Sequence, residues 1–111
     1  MKKFPGGVLA CALLLYATTA GAENTTAFGA IDCGQWIKSP RQADKAWLLG
    51  YLSGLNAMWQ GDTKNIPRDP LDALSSADQA FLWMDNFCRA SPLKKVDSGA
   101  IALFFELVAK R

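Results

Sequence analysis

The stretch Trp47–Asn56 constrains the fold most, because it predicts one long helix with two packing faces. At about 3.6 residues per turn, the large apolar side chains share one flank, which comprises Trp47, Leu48, Tyr51, Leu52, Leu55, Met58 and Trp59. Small residues form a second stripe, which comprises Ala43, Ala46, Gly50, Ser53, Gly54 and Ala57. Such a stripe lets a neighbouring helix approach closely, so the pattern predicts a buried central helix from about Gln42 to Trp59. Gly50 and Gly54 are expected at its closest contact, and Gly61 just beyond its end.

Three further segments carry helical periodicity, and none shows the alternation typical of a strand. Ala30–Ser39 predicts a short amphipathic helix, and the capping box Ser76–Gln79 predicts a helix over Ala77–Ala90. Ser91 and Pro92 predict the start of the last helix. Its expected core stripe comprises Leu93, Val96, Ala100, Leu103, Phe104, Leu107 and Val108. The elements together predict an all-α fold, a small bundle of about four helices.

Residues 1–22 have the three-part pattern of a secretory signal peptide. Lys2 and Lys3 precede the apolar run Val8–Tyr16, and Ala20–Ala22 fits a small-x-small cleavage site. The mature chain is therefore expected to begin at Glu23, to lie in the periplasm and to form a single domain over residues 23–111. An N-terminal membrane anchor is the alternative, although the run is short for a span of about 20 residues.

The charge of the chain indicates no polyanionic partner. Lys2 and Lys3 account for the whole formal net charge of +2, so the chain is near neutral once the signal peptide is removed. Nothing in this balance favours a nucleic acid or an anionic membrane surface as a partner. We therefore expect no nucleic-acid binding and no membrane association after cleavage.

Two cysteines remain after the expected cleavage, because Cys11 leaves with the signal peptide. An exported chain with two cysteines is expected to pair them, so the sequence predicts a disulfide between Cys33 and Cys88. Two buried free thiols are the alternative.

The sequence lacks histidine and the common motifs of enzymes and metal sites. There is no histidine, the commonest general base and metal ligand. Two cysteines that pair with each other leave no cysteine-rich metal site, and no glycine-rich phosphate loop follows a strand. Asp69 and Asp72 form the only local carboxylate couple, a spacing more typical of a solvated turn than of acid–base catalysis. The sequence predicts a non-enzyme with no catalytic residue, no cofactor and no metal.

Four residues are candidates for binding a protein partner. The stretch Gln60–Ser75 is rich in turn residues and is long for an irregular segment in so small a domain, which is typical either of a binding loop or of a solvated connector. Trp59 at its start and Arg68 within it are residue types that often dominate binding energy. Leu82 and Phe105 fall among polar residues on two helices, so we expect them to be exposed and to form one contact surface.

Three stretches of the chain resemble a known family. They are Cys33–Trp36 (CGQW), Trp47–Gly54 (WLLGYLSG) and Trp83–Arg89 (WMDNFCR), the last followed by Pro92 and Leu93. In this order they resemble the Rap/Tai-type immunity proteins, and the resemblance covers most of the mature chain. It implies a small, exported, all-helical protein of Gram-negative bacteria. It also implies a periplasmic protein that binds and inhibits a peptidoglycan amidase effector of type VI secretion. The motifs are mainly structural and carry no contact residues.

Other functions stay open at this stage. The chain is more distantly similar to the Hde-type periplasmic acid chaperones, which are also small and helical with one disulfide. It is also compatible with a periplasmic interaction module whose partner is unassigned, and with a homodimer. Inhibition of an amidase at fixed stoichiometry, or holdase activity that appears only in acid, would separate these hypotheses.

Overall fold

The computed structural model describes residues 26–62 and 68–110, which form four α-helices and one short 3₁₀ helix. These elements are α1 (Cys33–Lys38), α2 (Gln42–Asp62), the 3₁₀ helix (Pro70–Ala73), α3 (Ala77–Ala90) and α4 (Val96–Ala109). The described residues contain no strand, only an isolated antiparallel bridge between Asp32 and Lys95. The predicted all-α fold of four helices is confirmed.

Residues 1–22, the predicted signal peptide, lie outside the described residues, as does the stretch 63–67. Within the described ranges, no helix combines the length and the apolar character that crossing a bilayer requires.

The core lies where α1, α2, α3 and α4 meet. Its largest fully buried side chains are Trp36, Leu48, Leu52, Met84 and Leu103. A disulfide joins Cys33 to Cys88 with their Cα atoms 4.9 Å apart, so the predicted pairing is confirmed and α1 is tied to α3. Both sulfur-bearing residues are buried, which places the cross-link inside the core rather than on the surface.

Helix α1 is shorter than predicted and is fixed by polar contacts at both ends. The Asp32 carboxylate caps its first turn by accepting a hydrogen bond from the Gln35 backbone N–H at 2.8 Å. The indole N–H of Trp36 donates to the Asp85 carboxylate of α3, also at 2.8 Å. Asp85 is half-buried and is satisfied by the tryptophan.

The last helix begins later than predicted, at Val96 instead of Pro92. The backbone before it is held in an extended bridge: the Cys33 N–H donates to the Lys94 carbonyl and the Val96 N–H to the Ile31 carbonyl, each at 2.9 Å. These bonds compete with the helical turn that Pro92 could have opened. Leu93, assigned to the core stripe by periodicity, consequently lies in a turn and is almost fully exposed.

The central helix was predicted to be buried on two faces, and this prediction is wrong. Helix α2 continues past Gly61 to Asp62, and its only buried residues are Asp44, Leu48 and Leu52. All six residues of the small stripe are exposed, and a Cβ added at Gly50 or Gly54 would meet nothing within 4 Å. The neighbouring helices all pack on the large apolar flank, which leaves the small stripe facing solvent.

The close helix contact is found instead at Gly99 of α4. A Cβ added there would lie 2.6 Å from the Met84 sulfur and 2.8 Å from a ring carbon of Phe87. The absence of a side chain at this position therefore lets α3 and α4 approach each other.

Candidate functional site: an apolar groove between α2 and α4

An apolar groove lies between the last two turns of α2 and the middle of α4. It encloses about 360 Å³, and the described residues that line it are Leu55, Met58, Trp59, Asp62, Ile101, Phe104 and Phe105. Two of them are large apolar side chains mostly open to solvent, since Met58 is 69% exposed and Phe105 is 57% exposed. We refer to this site as the α2–α4 groove.

Three aromatic rings form the structural frame of the groove. Phe104 is almost fully buried and provides the floor. The Trp59 ring meets it edge to face with centroids 6.0 Å apart, and the Phe105 ring does the same from within α4 at 6.2 Å. Such edge-to-face contacts fix ring orientation, so the groove is a preformed apolar surface rather than a loose one.

The helical register explains which side chains face the groove. On α2, Leu55 and Trp59 continue the core stripe that begins with Leu48 and Leu52. On α4, Ile101 and Phe105 are spaced i,i+4 and therefore share one side of the helix. The two helices thus present neighbouring apolar flanks that they do not fully cover.

Two of the four predicted partner-binding residues, Trp59 and Phe105, meet in this groove. Trp59 is half-buried and packs on Phe104, so it contributes to the fold as well as to the surface. Leu82 is exposed as expected, at 59%, but it lines a different groove with Trp83 and Glu106. The single contact surface expected from Leu82 and Phe105 is therefore not what the structure forms.

Arg68 has a structural partner within the domain. Its guanidinium donates to the backbone carbonyls of Leu107, at 3.2 Å, and of Lys110, which lie at the end of α4. The Leu107 carbonyl also accepts from the Lys110 backbone N–H at 3.2 Å, and Lys110 lies just beyond the last helical residue. The arginine therefore adds a side-chain cap to the C-terminal end of α4.

The predicted binding loop Gln60–Ser75 is largely structured where it is described. Its first residues belong to α2, and the stretch 63–67 lies outside the described residues. The Asp69 carboxylate accepts hydrogen bonds from the Leu71 N–H at 2.9 Å and from the Asn56 side chain at 2.8 Å. Asp69 thereby caps the 3₁₀ helix and ties it to α2. This structural role differs from the solvated turn that the sequence predicted for Asp69.

The described residues offer few groups for chemistry. Among them, no cluster of three or more His, Cys, Asp or Glu residues could hold a metal ion. Asp97 is buried on α4, and its Oδ1 atom has no hydrogen-bond partner within the described chain. Burial and the nearby Asp97 charge raise the pKa of Tyr51, so that phenol stays protonated at neutral pH and is not a base.

Neither the sequence nor the fold has a counterpart in the comparisons: the chain matches no protein-family model, no curated protein and no solved structure. What the protein does is therefore inferred from its residues, from the α2–α4 groove and from the resemblance of its three motifs.

Met58 and Asp62 are the groove residues that periodicity missed. Met58 falls on the large apolar flank and was therefore assigned to the core. Asp62 lies beyond Gly61, where the helix was expected to have ended. One signal for both was available in the spacing of Leu48, Leu52, Leu55 and Trp59, because a stripe that reaches Trp59 needs a further turn of helix to support it.

Proposed function

We propose that this protein is a periplasmic, non-catalytic binding protein, an immunity protein that binds a peptidoglycan amidase effector and inhibits it. The α2–α4 groove is the observation that supports binding most directly. Contiguous exposed apolar surface often marks a site of protein–protein contact, and the exposed Met58 and Phe105 side chains both line this groove above the buried Phe104. Binding energy concentrates in such apolar and aromatic anchors at the centre of an interface.

Inhibition by a protein of this kind needs no chemistry of its own. The ring contacts of Trp59 and Phe105 with Phe104 fix part of the groove in advance, so little conformational entropy is lost there when a partner binds. An amidase whose substrate cleft is covered by the bound domain cannot reach its cell-wall substrate. The two exposed side chains would then provide affinity, while the bulk of the domain provides the steric block.

The expected compartment is consistent with this role. The pattern of residues 1–22 favours export, and a disulfide between Cys33 and Cys88 is typical of proteins in an oxidising compartment. Amidase effectors act on peptidoglycan, which the periplasm contains, so an inhibitor exported there would meet them.

The family resemblance supports the choice of an amidase as the partner. Its three motifs fall on α1, α2 and α3, where they supply the disulfide, the core tryptophan Trp36 and the packing flank of the central helix. Phe105 and Ile101 lie outside these motifs. The motifs therefore support the scaffold, whereas the groove is the part in which specificity for one effector would be encoded.

Titration of purified type VI amidase effectors with the mature protein tests the proposal. We expect one effector to lose peptidoglycan hydrolysis in proportion to added protein, with an end point at equimolar amounts. An unrelated muramidase serves as the control and should keep its activity. Full hydrolysis by every amidase at excess inhibitor would contradict the proposal. Suppression of client aggregation only at acid pH would favour the chaperone hypothesis instead.

A further inference from the structure

The α2–α4 groove has one charged lining residue among those described, and it lies at one end. Asp62 is the last residue of α2, and the last turn of that helix carries no basic side chain. The sole ion pair among the described residues joins Arg41 to Asp44 and leaves Asp62 uninvolved.

From this asymmetry we infer which partner the groove accepts, an inference that rests on the proposed function. We propose that the groove recognises a protein segment in which a Phe or Leu anchor is followed, on the same face, by Lys or Arg. The anchor fills the space between Met58 and Phe105, and the basic side chain meets Asp62 at the helix end. Complementary charge at the margin of an apolar contact orients the partner and discriminates against acidic competitors.

A second copy of this chain fits the groove less well than such a segment. The described lining residues comprise six apolar side chains and one carboxylate, with no basic group. A symmetric contact between two copies would place apolar against apolar, and none of the described lining residues would supply a cation to either Asp62 carboxylate. Charge complementarity therefore favours a basic partner over self-association.

The methionines make this proposal directly measurable. Beyond Met1 the chain holds only Met58 and Met84, the first exposed in the groove and the second fully buried in the core. Carbon-13 labelling of the methionine methyl groups in the mature protein thus gives an NMR signal for the groove and an internal reference. The probes are two synthetic helical peptides in which Phe and Leu are spaced i,i+4. They differ at one position only, which follows the Phe on the same helix face and is Lys in one peptide and Glu in the other.

We expect the Met58 signal to shift on titration with the Lys peptide while the Met84 signal stays in place. The Glu peptide should bind about threefold more weakly or worse, the size expected for one exposed charge pair. Asp62→Lys should reverse this preference. Asp72→Lys, an equal charge change at an exposed site on the 3₁₀ helix, should leave it unchanged.

Equal binding of both peptides, or no reversal in Asp62→Lys, would overturn the inference. A Met58 shift that depends on protein concentration alone would also overturn it, in favour of self-association. None of these three results would contradict the proposed function, because inhibition of an amidase is measured separately with the effector itself. If no amidase is inhibited but the peptide preference is observed, the inference about the groove is supported and the proposal of an amidase partner is contradicted.

Discussion

Gly99 lies where α3 and α4 leave no room for a side chain. A Cβ there would lie 2.6 Å from the sulfur of the fully buried Met84 and 2.8 Å from a ring carbon of Phe87. Because these side chains would have to shift, Gly99→Ala should lower the free energy of unfolding. The loss expected for such overpacking is about 1–3 kcal/mol. Urea titration of the variant and the parent measures it. A variant as stable as the parent would show that Met84 and Phe87 can rearrange.

Gly50 and Gly54 are the matched controls, since both are helical glycines with open space around them. Gly50→Ala and Gly54→Ala should each raise the free energy of unfolding by about 0.5–1 kcal/mol, because alanine has the higher helix propensity. The sequence pattern predicted a close helix contact at both positions, where a large residue such as leucine would destabilise the fold by overpacking. Destabilisation of either alanine variant in the same urea series would restore that earlier interpretation.

Asp44 links stability to pH at the start of α2. Hydrogen bonds from the Arg41 side chain and backbone hold the pKa of this buried carboxyl below its usual value of 3.8. A carboxyl whose pKa is lower in the folded state stabilises the fold above its unfolded pKa and loses that effect as the pH falls through the folded value. The contribution of Asp44 is therefore complete at neutral pH and disappears in acid.

Asp44→Asn should accordingly be less stable than the parent at neutral pH, and the gap should narrow as the pH falls below about 3.8. Urea titrations at neutral and acidic pH measure both gaps. Arg41→Ala removes the guanidinium from the same pair and should show the same narrowing. A gap that does not change with pH would mean that the carboxylate charge has no part in this contact.

At the scale of single elements, the cap that Arg68 places on α4 has a measurable effect. Arg68→Ala should lower the free energy of unfolding by about 1 kcal/mol, because the Lys110 carbonyl loses its side-chain donor and the Leu107 carbonyl loses one of its two donors. Hydrogen exchange of the last α4 amides should quicken at the same time. Arg68→Lys, which keeps the charge but lacks the planar fork, should fall between the two. Unchanged stability and exchange in Arg68→Ala would show that Arg68 does not cap α4, and the residue would again be a candidate for binding a partner.

The sequence predicted helix boundaries correctly where capping residues close in the chain determine them. Helix α3 begins and ends where the sequence predicted, at Ala77 and Ala90, and Gln79 reaches back to the Ser75 N–H at 2.7 Å. The start of α4 could not be read locally, because the extended bridge to Ile31–Cys33 overrides the proline that would have opened it. The orientation of α2 was misjudged for a related reason. Periodicity identifies two faces of a helix but not which face its neighbours occupy.

The candidate site was only partly predictable for the same reason. Trp59 stood out as a tryptophan beside the irregular stretch, and Phe105 as an apolar residue among polar ones. The fold does bring the two together. The contact between Arg68 and Lys110 was not predictable from the sequence. The two residues are 42 positions apart, and they meet only because of the path that the chain takes after the 3₁₀ helix. No spacing rule encodes such a contact.

At the scale of the whole molecule, the disulfide is expected to hold a large share of the stability. Cys33 and Cys88 are separated by 55 residues, and closing a loop of that length is worth about 4 kcal/mol in the chain-entropy model. A Cys33→Ala/Cys88→Ala double variant should therefore melt at a markedly lower temperature than the parent, as followed by circular dichroism. Reduction of the parent should give a similar shift. Equal melting temperatures would show that the remaining contacts of α1, such as Trp36 with Asp85, suffice.

The whole-molecule account depends on the α2–α4 groove being the surface that the partner covers. Phe105 and Leu82 allow a matched comparison, since they are exposed to 57% and 59% but line different grooves. The measurement is calorimetric affinity of Phe105→Ala, Leu82→Ala and the parent for whichever amidase effector the inhibition titration selects, with circular-dichroism melts to verify folding. We predict that Phe105→Ala weakens binding by about tenfold or more while Leu82→Ala stays within about threefold of the parent. A strong loss in Leu82→Ala with Phe105→Ala unchanged would contradict the account and place the binding surface in the other groove.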